Sequence, residues 1–324
     1  MTLSNKNILI TGGAGFIGSH LVDRILAENP KKITVVDNLF LGKKENLDNA
    51  FAIAPEIMST HWEDARDMTV MEKIISTEEI DVVFDMAVIP LPASLDDPFS
   101  NVHDNVALTL NLCELLRKDV FEKLIHFSSS ETYGTAQYVP IDESHPYMPS
   151  TPYAASKVAG DQICLSYCET FDIDITTIRP FNNYGPRQNK GSYAGIIPIV
   201  FNRVAAGIPI EIYGDGEQTR DLIFVDDTVN ATVHISQAPG ARGKVTNVAS
   251  GIETTMNQLV ATILTILGHP DHPVNHVAPR PADVRRHCGS IARAQELINF
   301  VPTTDLASGL ETTLEWYGKN SRVQ

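Results

Sequence analysis

The chain is predicted to be an α/β protein built on a doubly wound parallel sheet, with a smaller C-terminal lobe. Through the first half, short apolar or β-branched runs alternate with longer helical patterns. Alternation of that kind gives parallel strands joined by crossover helices. The first run, Asn-Ile-Leu-Ile-Thr at 7–11, leads straight into a glycine-rich turn and then a helical pattern. After Arg179 the chain becomes turn-rich and polar, and the elements beyond it shorten.

Taken in order, residues 7–11 are apolar almost without interruption, as a strand covered on both faces must be. Residues 16–28 carry apolar side chains at helical spacing, and 33–36 are strand-like again. Further strands are expected at 82–86, 124–128 and 175–178, with long helices at 99–117 and 152–171 between them. The stretch 179–195 holds three glycines, two prolines and four asparagines or glutamines outside any periodic pattern, so it reads as a functional loop. Neither an internal repeat nor a low-complexity tract is present.

Composition narrows the function classes. With 324 residues, 43% hydrophobic and 20% charged, the chain can bury a sizeable core. A net charge of -15 repels phosphate backbones, so nucleic acid is not expected as a partner. No apolar run approaches the roughly 20 residues of a membrane span, and the N-terminal run lacks the form of a secretory signal. The expected compartment is the cytoplasm. Cysteines 113, 164, 168 and 288 form no CxxC pair and are expected to be reduced. His269, His272 and His276 lie in a proline-interrupted stretch that suits no regular ligand set. No metal is expected.

The turn Gly12-Gly13-Ala14-Gly15-Phe16-Ile17-Gly18 has glycines where a chain turns sharply, approaches a pyrophosphate and packs a helix on a strand. The following helix presents free N–H groups to phosphate. Asp37 ends the second strand, where a carboxylate can accept ribose hydroxyls. With no basic residue at that place, NAD is favoured over its 2′-phosphorylated form. The expected division is a Rossmann-type NAD-binding domain at 1–180, with 226–250 returning to it, and a substrate lobe formed by 181–225 and 251–324.

Tyr153 and Lys157 stand four apart at the start of a helical pattern and share a face. An ammonium beside a phenol favours the phenolate, so Lys157 is expected to lower the Tyr153 pKa towards neutral pH. Such a pair can take a proton from a carbinol while hydride leaves the same carbon. Ser128, Ser129 and Ser130 end the strand before it, at the side of an open sheet where ligands bind.

The GxxGxxG spacing, the Tyr-x-x-x-Lys pair and the Ser-rich strand end together resemble the extended short-chain dehydrogenase/reductase family, the nucleotide-sugar epimerases and dehydratases, over essentially the whole chain. The resemblance implies a nucleoside-diphosphate sugar, a UDP-hexose first, oxidised transiently at C4. It places Asn38 beside Asp37, Asp64 and Ala65 at the adenine, and Ala87 under the cofactor. Ser129 matches the catalytic serine, while Ser130 and Glu131 match the two positions that vary with chemistry. Ser94 lies close to the sugar, Asn182, Arg220 and Arg280 reach the diphosphate, and Arg187 either reaches a sugar carboxylate or fastens its loop. The chain departs from the family pattern at Asp85, where a histidine is usual, and at Val88. The helices at 99–117 and 152–171 are implied as a homodimer interface. Epimerisation at C4 is the favoured reaction. A 4,6-dehydratase with Glu131 as base, a uronate decarboxylase or uronate 4-epimerase, and a non-catalytic NAD sensor remain alternatives.

Overall fold

Strand β1 (Asn7–Thr11) is buried at every position, because it has strands on both edges and helices over both faces. In the computed structural model, which describes residues 1–191, 194–279 and 283–320, it is followed by α1 (Phe16–Leu26), β2 (Lys32–Val36), α2 (Asp48–Ile53), β3 (Met58–His61) and α3 (Met68–Thr77). Next come β4 (Val82–Asp85), α4 (Ala93–Asp96), α5 (Pro98–Arg117), β5 (Lys123–Phe127), α6 (Pro152–Phe171) and β6 (Asp174–Pro180). The remainder comprises β7 (Asn182–Tyr184), α7 (Ile196–Ala205), β8 (Ile210–Tyr213), β9 (Thr219–Phe224), α8 (Val225–Gln237), β10 (Val245–Val248), β11 (Glu253–Thr255), α9 (Met256–Ile266), β12 (Val274–Val277), α10 (Ala292–Ile298) and α11 (Leu306–Asn320).

Seven parallel strands form the main sheet in the order β10-β6-β5-β4-β1-β2-β3. The side chains of β1 alternate between two cores. Ile8 and Ile10 meet Leu21, Val22 and Ile25 of α1 and Val229 and Val233 of α8, whereas Leu9 joins Met71 and Ile75 of α3 and Leu112 of α5. The sheet is thus covered on both faces, a doubly wound Rossmann-like arrangement. From β1 the chain steps outward through β2 and β3, then resumes at β4 on β1's other edge. Ligands bind beyond the carboxyl ends of the strands at such a reversal.

The long helices begin where capping chemistry allows. Thr151 caps α6 by accepting the Ala154 N–H at 3.2 Å, and Pro152 follows at the first helical position. Asp97 does the same for α5 through the Ser100 N–H at 3.1 Å, ahead of Pro98. The helix expected at 16–28 stops at Leu26, and the chain turns through Asn29 at φ 54°. The stretch expected as loop from 179 contains β7, which pairs with β9. A third core of Ile212, Phe224, Leu259, Ile263, Leu310 and Leu314 lies under a three-stranded and a two-stranded sheet. Strand β10 rejoins the main sheet against β6. No described helix is long and apolar enough to cross a membrane.

Candidate active site

Gly12 takes φ +65°, and a Cβ there would lie 3.0 Å from the backbone of Ala87. The turn therefore presses on the loop after β4, whose Met86 and Ala87 N–H groups donate to Thr11 Oγ1 at 2.9 and 3.0 Å. At Gly18 an added Cβ would sit 2.2 Å from the Gly12 carbonyl oxygen, so only glycine lets α1 start this close to β1. Gly15 caps α1 without a side-chain bond. The first-turn N–H groups beyond it are those a helix leaves unpaired, and they suit a diphosphate.

Gly12, Gly15, Phe16, Ile17 and Gly18 line one end of a cavity of about 1330 Å³. That exceeds the about 300–1,000 Å³ usual for one ligand, which leaves room for a dinucleotide and a second molecule. Asp37, Asn38, Asp64, Ala65 and Ala87 line the same end. Asp37 accepts the Ala14 N–H at 3.0 Å and the Leu39 N–H at 2.8 Å, which aims its remaining lone pairs into the cavity. Burial pushes its carboxyl up, against those two bonds. Arg66 clamps Asp64 and holds its carboxyl below the usual range. These groups fit NAD: N–H donors for the diphosphate, and a carboxylate with no cation on it for an unphosphorylated ribose.

One neighbour was not legible in the sequence. A Cβ at Gly42 would lie 2.6 and 2.7 Å from the two Asp37 carboxylate oxygens. We expect Gly42→Ala to displace that carboxylate and raise the Kd for NAD at least about tenfold, about 1.4 kcal/mol, in a calorimetric titration; an unchanged Kd would remove Asp37 from the cofactor site.

Helix α6 brings Tyr153 and Lys157 to the cavity wall, facing Ser129, Ser130 and Glu131 just beyond β5. The Tyr153 hydroxyl is hydrogen-bonded to Ser129. Ser129 Oγ also accepts the Glu131 N–H at 3.2 Å, which starts the short 3₁₀ turn Ser130–Tyr133. The expectation that Lys157 lowers the Tyr153 pKa does not hold in the protein alone. Burial pushes the phenol up to about 12, with the Ser129 bond opposing and Glu131 adding to the rise. Lys157 is spent elsewhere: its Nζ donates to the Phe127 carbonyl at 2.5 Å, and burial lowers its pKa while Asp85 and Asp161 raise it. Glu131 is itself pushed up by burial, with Arg220 opposing.

On the substrate side, Asn182 and Arg220 line the cavity. Asn182 Nδ2 lies 3.3 Å from His287 Nδ1, and His287 Nε2 lies 3.1 Å from the Ser130 carbonyl. With that carbonyl accepting from Nε2–H, Nδ1 is left to accept from Asn182. Burial brings His287 down to about 4, which keeps it neutral in this bridge. Arg220 donates to the Thr219 and Val284 carbonyls at 2.8 and 2.6 Å and to Asp283 at 2.6 Å, so a diphosphate must compete with that carboxylate. Ser94 and Arg187 are off the cavity wall. The Ser94 hydroxyl is buried and donates to the Leu91 carbonyl at 2.7 Å, and Arg187 is paired with Asp23 at 2.7 Å, fastening its loop to α1. Arg280 lies outside the described residues. Lys190 and Arg203, which sequence reasoning missed, line the cavity; nothing in their spacing marks them. His272 and His276 are bonded to the Ile208 and Gly214 carbonyls, and no three metal-ligating side chains gather among the described residues.

Comparison with known proteins agrees with this geometry. Residues 8–249 match the model of the NAD dependent epimerase/dehydratase family. A UDP-glucose 4-epimerase of Mycolicibacterium smegmatis is 38% identical over 97% of this chain and 99% of its own. The crystal structure of a UDP-glucose 4-epimerase of Thermotoga maritima with UDP-glucose superposes with a TM-score of 0.90 at 32% identity, covering 97% of this chain and 99% of the other. A dTDP-glucose 4,6-dehydratase of Streptomyces venezuelae, solved with NAD bound, gives 0.91 at 28% identity over 98% of both chains. The chain belongs to the NAD dependent epimerase/dehydratase family, and it is an enzyme with NAD as its cofactor.

Proposed function

We propose that the protein epimerises a UDP-hexose at C4. The observation that carries this is Ser130 beside Glu131. Elimination of water across C5 and C6 needs one group to take the C5 proton and another to protonate the departing C6 hydroxyl. The strand end offers a single carboxyl there, and a serine hydroxyl is too weak an acid for the second task. Epimerisation needs neither. In this reading Tyr153 takes the C4 hydroxyl proton, Ser129 holds that hydroxyl in line, and Lys157 holds the nicotinamide ribose and the phenolate's counter-charge. NAD, when bound, would supply the acceptor and then the donor of the C4 hydride. The keto sugar turns within the cavity, so that hydride returns to the opposite face of C4 while Tyr153 returns the proton to the C4 oxygen. Asn182 and Arg220 hold the diphosphate while the sugar turns.

Incubation with UDP- and dTDP-hexoses tests this. The C4 epimer is expected; a 4-keto-6-deoxy product absorbing in alkali would establish dehydration instead, and released carbon dioxide would establish decarboxylation of a uronate. Glu131→Gln sharpens the test. It is expected to keep turnover within about tenfold, whereas loss of a required base costs about 100-fold or more.

The protein is further proposed to act in the cytoplasm as a homodimer through α5 and α6. Phe99 on α5 and Leu95 just before it are 78% and 67% exposed in the single chain, which favours a partner there. Light scattering at micromolar concentration should return twice the chain mass; a monomer would refute the dimer.

A further inference from the structure

Behind Lys157 lies a set of buried charged groups that the chemistry above does not use. Asp85 ends β4, His126 lies on β5, Asp161 on α6 and Arg179 on β6. All are at most 3% exposed, and Lys157 itself only 6%. Asp85 Oδ2 accepts from His126 Nδ1 at 2.8 Å and from Thr109 Oγ1 at 3.1 Å. The other imidazole nitrogen faces Asp161 Oδ1 at 3.7 Å, and Arg179 is bonded to Asp161. Asp161 is one helical turn beyond Lys157, on the same inward face of α6. The helix lies so close over β5 that a Cβ at Gly160 would meet His126 Nε2 at 3.2 Å.

Charge counting gives this cluster a purpose. Two carboxylates are sealed from water, and each keeps one oxygen, Asp85 Oδ1 and Asp161 Oδ1, without a hydrogen bond. Buried carboxylates require compensating charge nearby. Arg179 compensates one of them. The Lys157 ammonium, which both carboxylates favour, is placed to balance the second. Other groups near the site add nothing to that balance. Cys164, 3.9 Å from Cys113, is held well above the usual thiol range by burial, so it is neutral there. Tyr133 and Tyr147 stack on Arg179. Glu131 acts on Tyr153 from across the cavity.

We propose that Asp85, His126 and Asp161 are positioning residues that hold Lys157 as a buried ammonium on the Phe127 carbonyl, ready for the tyrosine. His126 precedes Phe127 in β5, so pinning the imidazole to Asp85 also fixes the carbonyl that receives Lys157. The replacement of the family's usual histidine by Asp85 is then a rearrangement: the acid stands on β4 and the imidazole on β5. This rests on the reading of Tyr153 and Lys157 given above, so its test is chosen to need no sugar.

In NAD-loaded protein carrying ¹³C-labelled lysine, the Cε signal of Lys157, assigned with Lys157→Arg, is followed against pH. Removing a carboxylate charge disfavours the ammonium, so Lys157 must give up its proton at lower pH. In Asp85→Asn, which keeps shape and acceptor, the midpoint is expected to fall by about one unit or more. Thr109→Val loosens Asp85 but leaves the charge, and should leave the midpoint in place. An unmoved midpoint in Asp85→Asn overturns the proposal, as does an equal shift in Thr109→Val, which would point to packing rather than charge. Asp161→Asn gives a second reading where it folds. If no nucleotide sugar is turned over but the midpoint still shifts, the proposed reaction fails and this inference stands.

Discussion

Tyr153→Phe is expected to lower kcat by about 100- to 10,000-fold, the usual contribution of a general acid–base, while NAD content and KM for the sugar change little. The phenylalanine ring fills the same space on α6 and removes only the hydroxyl bonded to Ser129, leaving the glycine turn untouched, so binding survives and the proton transfer does not. The phenol is held up at about 12 in the protein alone, with burial as the largest cause. A desolvated phenol is a strong base once ionised, and it ionises only when positive charge is brought beside it. Lys157 is one such charge, and the oxidised nicotinamide is another. Steady-state rates with the preferred hexose decide the matter: loss of less than tenfold would remove Tyr153 from the reaction.

Arg179→Met is expected to cost about 3–5 kcal/mol of stability, the range for breaking a buried ion pair from one side. Arg179 is fully buried, bonded to Asp161, 3.0 Å from the Tyr147 hydroxyl, and stacked over Tyr133 at 4.5 Å. Methionine restores much of the volume but leaves the Asp161 carboxylate without its principal cation. The double variant Arg179→Met with Asp161→Leu should recover most of the loss, because an apolar pair of similar size is often neutral. Urea unfolding followed by circular dichroism measures the first effect. A single-variant loss under about 1 kcal/mol would mean that water reaches Asp161.

The parts legible in the sequence are those in which local chemistry and tertiary role coincide. The run 7–11 is apolar because both faces of β1 are covered, and the glycines beyond it are needed by contacts within the same turn. Pro152 and Thr151 announce α6, and its first turns carry Tyr153 and Lys157. Strand β3 was missed because Met58–His61 is a short edge strand, half-buried throughout, with no apolar run to mark it. Strand β7 was hidden among turn-forming residues because its pairing is with β9, some forty residues on. Arg187 and Ser94 illustrate another limit. Both residue types suit a sugar site, but Asp23 of α1 occupies Arg187 and the Leu91 carbonyl, three residues earlier, takes the Ser94 hydroxyl. Gly42 matters through Asp37, five positions earlier, and no periodicity marks that contact. Lys157 was expected to act on Tyr153 directly; of the buried acids that compete for its charge, Asp85 lies on β4 and Asp161 one turn further along α6.

The most direct test of transient oxidation at C4 is the fate of deuterium placed there. UDP-hexose carrying deuterium at C4 is incubated in ordinary water with the NAD-loaded protein, and the product is analysed by mass and NMR. The account predicts the C4 epimer with deuterium still on C4, since hydride leaves to the bound nicotinamide and returns to the same carbon. Deuterium lost to water, or an epimer formed by inversion at another carbon while the C4–deuterium bond stays intact, would contradict it.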